Sequence, residues 1–84
     1  MKSKYAPRTN DEKIGYLVEE CGEVLAAAGK SIRWGLRSFN PELPKAKREL
    51  NRDWLARELK DLEEAIVYAR QVIEEDIGLW KKKP

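Results

Sequence analysis

The chain has 84 residues, 38 % of them charged, and a net charge of +2. This length supports one domain with a small core, which association with another chain would enlarge. A charge so near balance does not point to nucleic acid, and the absence of histidine removes His-based zinc sites, catalytic triads and Glu-x-x-His di-iron centres together.

Cys21 is the single cysteine, so an intrachain disulfide is excluded. Any metal site has to be built from oxygen, which favours Mg²⁺, Mn²⁺ or Ca²⁺. No apolar run is long enough to span a membrane and no signal peptide is visible, so a cytoplasmic protein is expected.

Residues 1–9 read as a short basic arm. "TNDE" then gives a helix start: Thr9 caps and Glu12 follows three residues on, as in a capping box. Ile14, Leu17, Val18, Cys21, Val24, Leu25, Ala28 and Ile32 recur at helical spacing, which predicts a first helix over 10–32 with that stripe as its packing face. Cys21 lies on the stripe and is expected to be a small core residue. Gly15, Gly22 and Gly29 each cost roughly 1 kcal/mol against alanine in a helix interior. They suggest close approach by a helix or a ligand, with ordinary tolerance an equal alternative.

Residues 33–44 form a loop signal with Gly35, Asn40, Pro41 and Pro44. A second helix is expected from near Lys45 to about Glu75, with a possible break near Asn51 and a stop at Gly78. Leu55, Leu59, Leu62, Ile66 and Ala69 mark its apolar face. The fold class is therefore all-α. It is a helical hairpin with an elaborated connection, whose single domain spans 10–77 and is followed by a basic tail over 78–84. Two amphipathic helices make a thin core, so two hairpins are expected to pair into a four-helix bundle.

Acidic residues interrupt this pattern. On a wheel that advances about 100° per residue, Glu58 falls inside the apolar arc of the second helix and Asp61 at its edge. On the first helix Glu20 and Glu23 lie together on one flank of the stripe, with Glu19 further out. Each helix thus offers two carboxylates one turn apart. Unneutralised carboxylates about 5 Å apart repel by roughly 3 kcal/mol at an effective dielectric of 20. A divalent cation reverses the sign, and hard cations prefer carboxylate oxygen. A salt bridge from Glu58 to Arg33 or Arg37 is the alternative, and Glu63, Glu64, Glu74 and Glu75 are explained as a solvated face.

"EECGE" at 19–23 followed by "ELKD" at 58–61 resembles the EExxE…ExxD signature of the MazG-like, all-alpha nucleoside triphosphate pyrophosphohydrolases. "YLVEECGEVLAAAGK", "RWG", "NPELP" and "NRDWLARELKDLEEAI" also look like small stand-alone bacterial or phage members. The resemblance covers about residues 10–73, although the gap of residues 24–57 is long for the family. It implies a helical bundle, a dimer or tetramer, that hydrolyses an NTP or dNTP to the monophosphate and pyrophosphate with Mg²⁺. Mn²⁺ is a possible substitute. It further implies that Glu20, Glu23, Glu58 and Asp61 are the metal ligands, and that Glu19 supports them or positions the attacking water.

Phosphate needs cations, and Lys30, Arg33 and Arg37 lie downstream of the acidic cluster. A base needs a flat apolar wall. Trp34 and Trp54 are candidates, with Tyr16 and Tyr68 behind them, and core or interface packing is an equal reading. Asn51 suits either a base or sugar contact or a helix cap. The rival from another class is a non-enzymatic dimerisation module that uses "KAKR" and "KKKP" on an acidic partner.

Overall fold

The computed structural model describes residues 6–82. Two helices dominate it: α1, Asn10–Trp34, and α2, Asn51–Lys82. A short 3-10 turn, Lys45–Lys47, sits in the connection. Tyr16 of α1 meets Tyr68 near the middle of α2, while Asn51 at the start of α2 meets the end of α1. The helices are therefore antiparallel, and the chain is an all-α hairpin.

The start of α1 follows from its sequence. The Thr9 side chain accepts from the Glu12 amide at 3.0 Å, and the Glu12 carboxylate accepts from the amides of Thr9 and Arg8. This capping box satisfies donors that have no partner inside the helix. At the other end Gly35 has a φ of 96°, a region that only glycine enters freely, and its amide donates to the Ser31 carbonyl.

The connection is tied rather than loose. The Asn51 and Arg52 amides donate to the carbonyls of Ser38 and Leu36. Phe39 and Leu50 form an isolated antiparallel bridge, and the Arg48 guanidinium lies 4.7 Å over the Phe39 ring. Pro44 precedes the 3-10 turn, and the long helix starts at Asn51 rather than near Lys45 as expected.

Three further expectations are corrected. Gly78 does not stop α2, which runs on to Lys82, so residues 78–82 belong to the helix. A single glycine costs too little to end a helix of this length, and Lys81 and Lys82 complement the negative end of its dipole. Residues 1–5 of the expected arm and 83–84 of the expected tail lie outside the described residues.

The second correction concerns which faces pack. The residues of α1 buried in the hairpin are Tyr16, Glu20, Ala27 and Ser31, and of the expected stripe only Leu17, Val24 and Ala28 are half-buried. Ile14, Val18, Leu25 and Ile32 remain exposed, Ile32 by 87 %. On α2 the buried set is Asn51, Glu58, Ala65 and Ala69, so of the expected face Ala69 is buried, Leu55 and Leu62 are half-buried, and Leu59 and Ile66 are exposed. Alanine at 27, 65 and 69 leaves no side-chain bulk along the seam, so the backbones can pack closely there.

The third correction follows from the second: Cys21 lies on the outward stripe and is exposed, not a core residue. A Cβ on Gly15, Gly22 or Gly29 would meet nothing within 4 Å, so no close approach inside the chain requires these glycines.

Candidate metal centre

The hairpin seam brings two acidic motifs to one level. Carboxylate oxygens of Glu20, Glu58 and Asp61 all lie within 4.8 Å of one another. Glu20 and Glu58 are 7 % and 4 % exposed. Glu20 and Ala27 are seven residues apart on α1, as are Glu58 and Ala65 on α2, so the acids occupy the same seam as the alanines. That register places carboxylates where a core would otherwise continue.

The electrostatics follow from the burial. Burial pushes the Glu20 carboxyl up to about 7, and the carboxylates of Glu23, Asp61 and Glu58 add to the rise. Burial raises Glu58 as well, with Glu23 and Asp61 acting in the same sense and Arg57 opposing them. The Arg57 guanidinium donates to Glu58 Oε1 at 3.0 Å, but its shorter bond, 2.6 Å, goes to Glu49. Arg57 therefore takes the place that Arg33 or Arg37 was expected to fill, and it reaches one Glu58 oxygen only. The second oxygen of Glu58, Oε2, and Oε2 of Glu20 are buried without a hydrogen-bond partner.

These donors fit a hard cation. All are carboxylate oxygens, and the one thiol faces outward elsewhere. Leaving buried ionised carboxylates unpaired is costly. A divalent ion would meet the unpartnered oxygens of Glu20 and Glu58 and turn mutual repulsion into attraction.

The four expected ligands are thus three in one group and one beside it. Glu23 is exposed and lies outside the 4.8 Å group, but its carboxyl is near enough to push both Glu20 and Glu58 up. Glu19 is exposed and is not brought into the cluster.

Residues expected to hold substrate sit toward the loop end. On α1, Lys30 lies about 10 Å along the helix axis beyond Glu23, and on α2, Trp54 lies one turn before Glu58. Lys30 Nζ stands 4.9 Å over the Trp34 ring and forms an ion pair with Glu42 at 3.3 Å. The Arg33 guanidinium also lies over Trp34, at 4.8 Å. Trp34 and Trp54 are half-buried. Arg33 and Arg37 are exposed.

Asn51 is fully buried, and its Nδ2 donates to the carbonyls of Gly35 at 3.0 Å and Lys30 at 3.4 Å. Both carbonyls belong to the end of α1, so the amide closes that helix from the start of the next. The cap expected at the start of its own helix is not formed, because Oδ1 is buried without a hydrogen-bond partner. The amide instead closes the helix before it, a partner that no local spacing reveals.

Sequence reasoning named the acids but missed Tyr16 as their neighbour. Tyr16 is buried beside the cluster, and its phenol oxygen has no hydrogen-bond partner. Its spacing of four residues before Glu20 was the available signal.

Comparison of the chain with protein-family models, with curated proteins and with solved structures returns no match. The chemistry of the seam therefore carries the functional argument.

Proposed function

We propose that the chain is a Mg²⁺-dependent nucleotide pyrophosphohydrolase, which cleaves an NTP or dNTP to the monophosphate and pyrophosphate. The observation that carries this reading is the Glu20, Glu58 and Asp61 group, with two unpartnered buried oxygens and no histidine or thiol in it. The resemblance of "EECGE" and "ELKD" to the MazG-like signature supplies the reaction.

The bound Mg²⁺ or Mn²⁺ would supply charge neutralisation at the phosphates and a lowered pKa for the attacking water. Glu20, Glu58 and Asp61 would hold it, with Glu23 at the exposed side. Phosphoryl transfer rests on positioning and electrostatics, so no covalent nucleophile is needed. Lys30 and Arg33 would serve the distal phosphates, and Trp54 or Trp34 the base. Lys30 would exchange its Glu42 partner for phosphate.

The same reading includes pairing with a second copy into a four-helix bundle. Relative to the buried seam, the exposed stripe of α1 is displaced by about 145° and that of α2 by about 80°, both in the same rotational sense. On antiparallel helices that places both stripes on one side of the hairpin. Glu23 and Asp61 are displaced in the opposite sense and lie on the other side. The hairpin is 14 Å in its thinnest dimension, one helix thick, so nothing within it covers the stripe. Ile14, Val18, Leu25, Ile32, Leu59, Ile66, Ile73, Ile77 and Trp80 together expose on the order of 1,000 Å², comparable with the ~800 Å² per partner of stable interfaces. A second copy offers the same apolar area.

The exposed stripe taken alone also favours the non-enzymatic interaction module. An assay separates the two readings. The protein is incubated with Mg²⁺ or Mn²⁺ and each common rNTP and dNTP, and products are resolved by ion exchange. Monophosphate plus pyrophosphate, lost in Glu58→Gln, is the expected result. Diphosphate plus orthophosphate would refute the cleavage site. Absence of turnover together with no Mg²⁺ effect on Tm would favour the module.

A further inference from the structure

Tyr16 stands out among the buried groups that the reaction scheme leaves unused. It is 8 % exposed, and its hydroxyl is one of four buried side-chain atoms without a partner among the described residues. Two of the others, Glu20 Oε2 and Glu58 Oε2, belong to the acidic centre. Tyr16 lies one turn before Glu20 on the same helix face, and its ring is fixed edge-on against Tyr68, with centroids 6.0 Å apart at 61°.

The phenol is close enough to Glu64, Glu20 and Asp61 to feel their charge, which together with burial pushes its pKa up. A phenol is protonated, and so a donor, throughout the neutral range with or without that rise. A buried donor and buried carboxylate acceptors thus share one small region without bonding to each other. Each would cost free energy if left unmade. One polar oxygen placed among them satisfies the donor, while a cation satisfies the acceptors.

We propose that Tyr16 is a positioning residue of the acidic centre, whose phenol donates a hydrogen bond to an oxygen held beside the cation among Glu20, Glu58 and Asp61. The oxygen belongs to water or to a phosphate. This rests on the reading of the cluster as a cation site. It assigns the centre a neutral donor that fixes the orientation of that oxygen without adding positive charge.

The test is an electron paramagnetic resonance titration with Mn²⁺, alone and with inorganic pyrophosphate, on the wild type, Tyr16→Phe and Tyr68→Phe. Thermal melts in EDTA accompany it. Tyr16→Phe is expected to bind Mn²⁺ about tenfold more weakly, the equivalent of one lost hydrogen bond, with an EDTA Tm no lower than the wild type. Tyr68→Phe should match the wild type. Weaker binding with Mn²⁺ alone identifies the oxygen as water, and weaker binding only with pyrophosphate identifies it as phosphate. Unchanged affinity of Tyr16→Phe in both arms overturns the proposal while leaving the cation site standing. A lower EDTA Tm overturns it too, because the hydroxyl would then be structural. A wild type that binds no Mn²⁺ in either arm overturns both readings.

Discussion

Glu20 on α1 and Glu58 on α2 are buried in the same seam, each with one carboxylate oxygen that no hydrogen-bond donor reaches. Both carboxyls are held above the ordinary carboxylate range, chiefly by burial. The metal-free hairpin therefore carries a destabilising element at its centre, which a bound cation would convert into a stabilising one.

The first prediction concerns Glu58→Gln, which keeps the shape of the side chain and removes its charge. At pH 8 in EDTA the variant should melt roughly 4–8 °C above the wild type, the equivalent of about 1 kcal/mol for a domain of this size. Millimolar Mg²⁺ should raise the wild-type Tm and leave the variant unmoved. Differential scanning calorimetry with and without Mg²⁺ measures both. A less stable variant in EDTA would show that the Arg57 pair makes Glu58 a structural residue.

The pH dependence has a defined sign. Glu20 titrates near 7 in the folded chain against 4.5 as its ordinary value. A raised carboxyl stabilises the fold fully below the unfolded value and loses that contribution as pH rises through the folded one. In EDTA the Tm should therefore fall from about pH 4.5 to about 7, most steeply midway between the two values, and level off above that. The Mg²⁺-dependent rise in Tm should grow over the same interval, because the cation binds the deprotonated form. Melting curves at half-unit pH steps check this, and a metal-free Tm that climbs with pH would contradict the assignment.

The outward stripe predicts association. Leu25 is 72 % exposed in the single chain, so Leu25→Glu should barely alter the monomer. It should weaken self-association by at least tenfold, since charge is depleted at the centre of interfaces. Analytical ultracentrifugation across micromolar concentrations reads the mass of each form. A wild type that stays monomeric at 100-fold higher concentration would mean that the stripe serves another partner.

Asn51 is expected to matter for stability. Asn51→Leu removes the donor to the Gly35 and Lys30 carbonyls at a fully buried position. Loss of about 0.5–1.5 kcal/mol is expected, the net worth of a hydrogen bond to these partly exposed carbonyls. Urea denaturation gives the value. Mg²⁺ affinity should change little if the amide serves only to join the helices.

Local chemistry determined much of this protein. Thr9 and Glu12 specify the start of α1, Gly35 closes it, and the helical spacing of Glu20 with Glu23 and of Glu58 with Asp61 sets each acidic pair on one face. Capping and periodicity act over a few residues, so they can be read without a fold.

Which face turns inward was decided only by the packed hairpin. A helical wheel gives the angle between Leu25 and Ala27 but not which of them meets α2. The large stripe of Ile14, Val18, Leu25 and Ile32 is the obvious choice, yet the narrow seam takes Ala27, Ala65 and Ala69 and carries the glutamates with them. The register that levels Glu20 with Glu58 and Asp61, and the reach of Asn51 to the end of α1, depend on where a long connection returns the chain. Gly78 continues its helix for a related reason: a cost of roughly 1 kcal/mol breaks a helix only where the surroundings do not outweigh it.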